Sequence, residues 1–243
     1  MDQPSHAVGD YHGSLQRSHD SRTRADRPAE FHLAGRQWTL LGEVFAPVYS
    51  PSSQTFLDLL DFPVGGTVLE IGSGAGVIAV SAALAGCAQV VATDISPEAV
   101  RNTRLNAARH GVADRVRCQV SDMFAALDPH EHFDLVFWHS NFVHAPETLD
   151  HLDYHDLAYV DPGYRAHRAY LAEAPHRLRP GGDALLGFSS RGDMDLLRRL
   201  AAETGVELAH LARRPVPETT HVVDYQLLRL TQGPHPEQGE DTA

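Results

Sequence analysis

The stretch Val68–Gly76, which reads VLEIGSGAG, decides the fold. A short apolar run that contains Glu70 leads into glycines at alternate positions, and the small-residue run at 77–86 then predicts a helix. A second apolar run, residues 90–92, leads to Asp94. Glycines let a backbone approach a ligand because no Cβ stands in the way. This order of strand, glycine turn, helix and strand predicts a site for an adenosine-containing cofactor, with Asp94 accepting both ribose hydroxyl protons.

The spacing of the glycines indicates which adenosine-containing cofactor the turn binds. A dinucleotide site typically reads G-x-G-x-x-G, whereas residues 70–76 read E-x-G-x-G-x-G, with the acid ahead of the glycines. No Gly-Lys-Ser or Gly-Lys-Thr follows, so the run does not predict a phosphate-binding P-loop. The run resembles motif I of the class I S-adenosylmethionine-dependent methyltransferases. On this run alone, an ordinary tight turn between a strand and a helix stays an alternative.

Four further segments resemble later motifs of that family in the expected order, at 93–100, 116–123, 133–138 and 178–188. The resemblance implies S-adenosylmethionine as the cofactor and S-adenosylhomocysteine as the product. It assigns the methionine portion to Glu70 and the glycine turn, the ribose to Asp94 and the adenine to Asp122. The residues that it implies for the cofactor are Glu70, Gly72, Ser73, Gly74, Gly76, Asp94, Ile95, Asp122, Met123 and Asn141.

The same resemblance implies the architecture. We expect an α/β fold with a Rossmann-like, seven-stranded, mostly parallel sheet and helices on both faces. Residues 208–212 and 221–230 are typical of two strands that close one edge of the sheet. We expect four parts of the chain, namely a disordered or loosely attached arm at 1–30, a cover segment at 31–63, the methyltransferase catalytic domain at 64–232 and a disordered tail at 233–243.

The composition limits the partners of the protein. The net charge is −12, and all 20 basic residues are arginine. A large nucleic-acid footprint needs a basic face, so this balance argues against nucleic acid and suits a small or cationic substrate. No apolar run reaches the ~18–20 residues of a membrane span, and the two cysteines do not indicate a disulfide framework. We expect a cytoplasmic protein without a membrane partner; its oligomeric state, a homodimer among the alternatives, stays open.

The loop at 138–144 is the predicted acceptor side of the site. Ligands bind beyond the carboxyl ends of the strands in an open parallel sheet, which places this loop beside the cofactor. One branch of the family reads Asn-Pro-Pro-Tyr here, where the asparagine side chain and the next carbonyl accept hydrogen bonds from a planar nitrogen. This chain keeps Asn141 and continues with FVH at 142–144. The segment 43–57 resembles the entry segment of the HemK-like glutamine-amide methyltransferases, so nitrogen methylation is implied.

The stretch 147–161 is acidic and contains no lysine or arginine. One interpretation is a solvated loop; the other is a lid whose carboxylates grip a cationic, guanidinium-like acceptor. A histidine, His139 or His144, is a candidate base or orienting group, and we expect no metal site because the pair at 151 and 155 lacks the Glu of H-E-x-x-H. The candidate catalytic residues are Asn141 and His144, and the candidate substrate-binding residues are Tyr49, Phe142, Glu147, Asp150 and Asp153.

These patterns together predict an S-adenosylmethionine-dependent methyltransferase that N-methylates a small molecule, such as an amino acid or an arginine-like guanidino compound, in metabolite biosynthesis. Because the sulfonium is already activated, the protein would mainly position the two reactants for in-line transfer and exclude water. Two alternatives stay open. One is a HemK-like N-methyltransferase that acts on a glutamine of a protein, and the other is a non-catalytic cofactor-binding subunit.

Overall fold

The structure, a computed structural model, describes residues 10–218 and 221–232. Its strands are β1 (Glu30–Leu33), β2 (Arg36–Thr39), β3 (Thr67–Ile71), β4 (Gln89–Asp94), β5 (Val116–Val120), β6 (Phe133–His139), β7 (Val143–Ala145), β8 (Val160–Pro162), β9 (Leu178–Ser189), β10 (Val206–Glu218) and β11 (His221–Gln232). Its helices are α1 (Tyr11–Thr23), α2 (Ser52–Leu59), α3 (Val77–Leu84), α4 (Pro97–Arg109), α5 (Arg165–Glu173) and α6 (Met194–Glu203).

Seven of these strands form one sheet with the order β10-β11-β9-β6-β3-β4-β5. The strands from β9 to β5 pair in parallel, while β11 runs antiparallel to both β9 and β10. The predicted α/β class and its mostly parallel sheet are therefore confirmed. The chain passes from β3 outward to β5 and then returns to β6 on the other side of β3. Ligands of α/β sheets bind at the carboxyl ends of the strands where the order reverses in this way.

Helices cover both faces of the sheet. On one face, α2, α3 and α4 pack Phe56, Val80 and Val100 into a common core. On the other face, α5 and α6 pack Leu171 and Leu197 into a second core. Each of these side chains is fully buried, which contributes ~1.5–3 kcal/mol per residue. In the described part of the chain, no helix is long and apolar enough to cross a membrane.

The N-terminal arm differs from the expectation of disorder. Residues 1–9 lie outside the described residues, but α1 is a helix of 13 residues that begins at the N-cap Asp10. Its Tyr11 and Leu15 pack against Val143 and Val160 of the short parallel pair β7-β8. The sequence of α1 shows no periodic apolar face, because the buried positions of the helix are serines. Their small side chains allow the helix to pack closely. The expectation of a disordered or loosely attached arm is thus wrong for α1, while the predicted tail at 233–243 lies outside the described residues.

The segment after α1 forms an antiparallel hairpin, β1-β2, at the start of the predicted cover segment. Two buried asparagines of α4 hold this hairpin through its backbone. Asn106 Oδ1 accepts from the Thr39 N–H at 2.8 Å, and Asn102 Oδ1 accepts from the Leu41 N–H at 2.7 Å. Both side-chain amides also donate to the Thr39 carbonyl. The cover segment is therefore fixed to the helix that follows Asp94.

Candidate active site

A cavity of about 670 Å³ opens at the carboxyl ends of β3, β4 and β6. Pockets for small ligands are typically ~300–1,000 Å³ and lie at such switch points. The glycine turn and Asp94 line one end, and the loop that follows β6 lines the other. Parts of α1, of the segment 43–50 and of the segment 154–162 also line the cavity, and we call these three parts the roof.

The glycine turn has a backbone that only glycine adopts without strain. The φ angles of Gly72, Gly74 and Gly76 are 67°, 53° and 81°. A Cβ at Gly76 would meet Thr103 at 2.9 Å, so α4 packs directly against the turn. A Cβ at Gly72 would meet the Trp138 indole nitrogen at 3.3 Å, which brings the turn close to the end of β6. Gly76 does not line the cavity, so its role is to start α3 rather than to face a ligand.

Asp94 ends β4 at the cavity wall and ties the turn to the next loop. Its carboxylate accepts from the Gly74 N–H and from the Ser96 N–H, each at 2.9 Å. Burial raises the pKa of this carboxyl, and the two backbone N–H groups oppose that rise. Ile95 lines the cavity next to it, and Ser73 is held below by a hydrogen bond from its N–H to the Thr93 carbonyl at 2.9 Å.

Glu70 has a structural partner that the sequence motif did not reveal. The residue is 2% exposed, and its Oε2 accepts from the Ala79 N–H in the first turn of α3 at 2.8 Å. A carboxylate in this position satisfies an otherwise unpaired donor and opposes the positive end of the helix dipole. Burial raises the pKa of the Glu70 carboxyl well above its ordinary value. Glu70 therefore fixes the helix that the glycine turn begins, and it also borders the cavity.

The loop after β5 forms the remaining wall at the cofactor end. Asp122 is exposed and lines the cavity together with Met123, whose φ is 47°. The Ser121 N–H donates to the Asp94 carbonyl at 2.9 Å, so the tips of β4 and β5 are held together. The predicted cofactor residues other than Gly76 are thus gathered around one cavity, as the sequence order of the motifs implies.

At the other end, Asn141 follows β6 and holds the roof. Its Nδ2 donates to the carbonyls of Leu157 and Val160, at 2.9 Å and 2.8 Å. Its Oδ1 is buried and has no hydrogen-bond partner among the described residues. The next carbonyl, of Phe142, already accepts from the Tyr164 hydroxyl. Of the two acceptors implied for a planar nitrogen, only the Asn141 side-chain oxygen is left without a partner.

The other predicted substrate residues divide into two groups. Tyr49 and Phe142 line the cavity, and the Arg24 guanidinium lies over the Tyr49 ring at 4.7 Å from its centroid. His144 does not line it, because β7 pairs with β8 and the His144 ring packs edge-on against Tyr164 at 5.1 Å. The structure therefore does not bring this candidate catalytic histidine to the cavity.

The three acidic candidates lie outside the cavity. Asp153 forms an ion pair with Arg22 of α1, and Asp150 lies 3.5 Å from the exposed ring of His151. Glu147 is exposed and its side chain covers Gly163. The idea of a lid that offers these carboxylates to a cationic acceptor is therefore corrected, because α1 supplies a cation for one of them and the others face outward. This ion pair was not predicted, because the residues that form α1 were expected to be disordered or loosely attached.

The structure adds cavity residues that the sequence did not predict. Arg17 comes from α1, Arg24 directly follows that helix, and Arg191 comes from the loop after β9, where it pairs with Glu218 at 2.5 Å. Asp161 lines the cavity while its carboxylate contacts the buried His167 ring at 2.7 Å. No motif spacing marks these residues, since their elements meet only through tertiary packing. Among the described residues, no group of three His, Cys, Asp or Glu side chains could hold a metal ion.

Comparison with known proteins identifies the family. A family model described as "Methyltransferase domain" matches residues 68–182. A release factor glutamine methyltransferase of Bordetella pertussis is 30% identical over 221 residues, which are 83% of this chain and 79% of that relative. The chain belongs to the HemK-like family of class I S-adenosylmethionine-dependent methyltransferases. A release factor glutamine methyltransferase of Cereibacter sphaeroides is 38% identical over 128 residues, 49% of this chain and 45% of that relative.

The fold of this HemK-like methyltransferase is shared more widely. A methyltransferase from Pyrococcus furiosus superposes with a TM-score of 0.57 at 18% identity, and the match covers 91% of this chain and 98% of that one. The cofactor of the HemK-like chain is S-adenosylmethionine. The residues present fit it, because the glycine turn leaves room for close approach and Asp94 places a carboxylate at the tip of β4.

Proposed function

We propose that this methyltransferase transfers a methyl group to a nitrogen of a small acceptor held beside Asn141. The observation that carries the proposal is at Asn141, which lines the cavity and whose buried Oδ1 has no hydrogen-bond partner among the described residues. A buried acceptor without a hydrogen bond costs ~1–3 kcal/mol, so an N–H of a bound molecule in this position restores that energy. This oxygen favours an acceptor molecule that donates a hydrogen bond, and a nitrogen nucleophile with an N–H can donate one.

The roof supports a small acceptor. Arg17, Asp20 and Ser21 of α1 line the cavity together with Arg24, which follows the helix, and α1 contacts β7, β8 and the turn at 156–158 between them. The Ser18 hydroxyl lies 2.8 Å from His155 Nδ1 and donates to Asp156 Oδ1 at 2.6 Å. A side chain that belongs to a folded protein has to enter past this helix. A free amino acid or another metabolite fits without displacing it.

The residues of the chain supply binding and orientation for the reaction. Bound S-adenosylmethionine supplies an activated methyl group, so little covalent chemistry is left for the protein. We assign the methionine portion to the turn at 72–74, the ribose to Asp94 and the adenine to Asp122 and Met123. Asn141 orients the acceptor nitrogen toward the methyl carbon, and the roof excludes water. An amino acid or a guanidino compound is the first class of small acceptor to test, in a biosynthetic role.

A second candidate is methylation of a glutamine side chain in a protein partner. The comparisons favour it, because the two HemK-like relatives are named release factor glutamine methyltransferases. The Asn141 oxygen would then accept from the amide of that glutamine. For this acceptor α1 has to move away from the cavity. The hydrogen bonds of Ser18 to His155 and Asp156 would break, but their polar groups could bind water instead, so the free-energy cost is moderate.

Transfer of a labelled methyl group decides between the two. The full chain is incubated with methyl-labelled S-adenosylmethionine and either the small-molecule or the protein fraction of a cell extract. Defined acceptors follow, namely free amino acids, arginine and a glutamine-containing peptide. Label in a small molecule supports the first candidate, and label in a protein or the peptide supports the second. Label on neither, with cofactor binding intact, contradicts nitrogen transfer to both classes.

A further inference from the structure

His139 is the last residue of β6 and lies at the junction of the two ends of the cavity. Ile71 of β3 pairs with Trp138, so Gly72 and His139 are the next residues on adjacent parallel strands. Neighbouring strands are ~4.8 Å apart, which places His139 beside the first residue of the cofactor turn. The histidine also lines the cavity. His139 therefore lies between the glycine turn, which is the predicted cofactor end, and Asn141, which is the predicted acceptor end.

The surroundings of this imidazole are aromatic. Its ring centroid is 4.7 Å from that of Phe56 and 5.5 Å from that of Phe142. Among the described residues, no side chain or backbone group forms a hydrogen bond or an ion pair with it. Burial lowers the pKa of His139 to about 4, and no neighbouring charge contributes to that shift. The ring is therefore neutral at physiological pH, with one nitrogen that can accept a proton.

We propose that His139 is a catalytic residue whose imidazole accepts the proton that the acceptor nitrogen loses when it is methylated. This inference rests on the proposed nitrogen transfer. The nitrogen lone pair forms the new bond to the methyl carbon as the carbon–sulfur bond breaks, and that electron pair stays on sulfur as a neutral thioether. The methylated nitrogen now has four bonds and a positive charge, and it releases a proton to His139. The imidazolium then passes the proton to water in the open cavity.

The acceptor nitrogen has to be uncharged when it attacks. An ammonium or a guanidinium has no free lone pair to form the new bond, so such a group has to lose a proton first. An uncharged amine, guanidino or carboxamide nitrogen can attack, and its N–H can donate to the Asn141 Oδ1. After transfer the nitrogen is positively charged and more acidic, so a neutral imidazole can accept its proton.

Binding of two cofactor analogues tests the position of His139 without any acceptor. Sinefungin carries a charged amine where S-adenosylmethionine carries its methyl, whereas S-adenosylhomocysteine carries nothing there. In His139→Ala, we expect the Kd of sinefungin to rise about 10-fold or more by calorimetry, because a hydrogen bond to a charged group is lost, while the Kd of S-adenosylhomocysteine stays within about 2-fold. His210→Ala, at an exposed histidine of β10, is the matched control and changes neither. Equal effects on the two analogues overturn the placement.

Chemical rescue tests the proton transfer. With a glutamine-containing peptide or a simple carboxamide as acceptor, we expect His139→Ala to lose about 100-fold or more in kcat with little change in the KM for S-adenosylmethionine. Added imidazole should restore part of that kcat, a response that a purely structural role does not give. A full kcat in His139→Ala, or a loss that imidazole does not relieve, overturns the base assignment. The sinefungin measurement needs no turnover, so it tests the position of His139 even if the proposed nitrogen transfer fails.

Discussion

Some motif residues of this methyltransferase also form hydrogen bonds that hold the structure together. Glu70 accepts from the Ala79 N–H at the start of α3, and the side-chain amide of Asn141, which was predicted to face the cofactor and the acceptor, also donates to two carbonyls of the roof. Both residues line the cavity, while their roles toward the cofactor and the acceptor stay predictions. Their hydrogen-bond partners lie in other elements and could not be derived from spacing. A residue at a motif position can therefore combine an architectural and a chemical task.

The role of Asn141 can be separated from its structural contacts by mutation. We expect Asn141→Ala to lower kcat/KM for the acceptor about 100-fold, because both the free oxygen and the grip on the roof are lost. Asn141→Asp retains the oxygen and loses the donor to the Leu157 and Val160 carbonyls, which isolates the grip. Asn102→Ala is the matched control, since it also frees backbone groups but at the cover hairpin. The same loss in Asn102→Ala would contradict a specific role for Asn141.

Gly76 offers a second prediction at this scale. Gly76→Ala combines a positive φ of 81° with a Cβ only 2.9 Å from Thr103. We expect a loss of at least about 3 kcal/mol in the free energy of unfolding, from backbone strain and overpacking together. Gly205→Ala isolates the strain, because its φ is 71° and nothing lies within 4 Å of the new Cβ. That variant should lose about 1–2 kcal/mol in denaturant unfolding, and equal losses would show that the Thr103 contact costs nothing.

Among the elements, α1 is the one that changes the understanding of the site. It was expected to be disordered, yet it lines the cavity and pairs Arg22 with Asp153. The helix has few apolar residues, so its own hydrophobic pattern gives little reason for it to form. Its stability comes from tertiary contacts to β7, β8 and the turn at 156–158, which is the usual source of stability for short helices. An element held in this way can be displaced without unfolding the sheet.

The docking of α1 should be sensitive to acid. Burial, with help from Arg27 and Arg22, lowers the pKa of His155 to about 4, while Asp153 and Asp156 act in the opposite direction. Free histidine titrates near ~6.5, so between pH 6.5 and 4 the undocked state binds more protons and the docked state loses stability as the pH falls. We expect hydrogen-exchange protection factors of α1 amides to fall on the order of 10-fold between pH 7 and 5.

A variant without the titrating group controls this measurement. His155→Gln keeps a polar side chain near Ser18 but does not ionise, so the protection factors of its α1 should be nearly independent of pH over the same interval. Strands β3 and β6 serve as an internal reference, because they lie in the buried sheet. A pH response of α1 that persists in His155→Gln would assign the effect to other groups.

At the scale of the whole molecule, the cofactor is expected to hold the sheet, the glycine turn and the loops together. Ligand at 100 times its Kd stabilises a folded chain by about 2.7 kcal/mol, or roughly 5–10 °C in Tm for a protein of this size. We expect S-adenosylhomocysteine to produce such a shift in the wild-type chain and less than about 2 °C in Asp94→Ala, measured by thermal unfolding.

A carboxylate at the opposite end of the sheet provides the control. Asp134 accepts from the Thr67 N–H at 2.7 Å, at the start of β3 and away from the cofactor turn. Asp134→Ala should lower the Tm of the free protein by removing this hydrogen bond, yet retain the full shift with S-adenosylhomocysteine. A full ligand shift in Asp94→Ala would contradict the assignment of the ribose to that residue.

The sequence by itself determined the glycine turn and the strands and helix on either side of it, because local periodicity and backbone conformations that only glycine allows are encoded within short stretches such as 68–76. The resemblance of its motifs to those of the class I methyltransferases implied the cofactor and the seven-stranded sheet. The acceptor end was decided only by the tertiary structure. There, α1 neutralises Asp153, the pairing of β7 with β8 withdraws His144, and the alignment of β3 with β6 brings His139 beside Gly72. Contacts of this kind join residues far apart in the chain, so no local pattern can specify them.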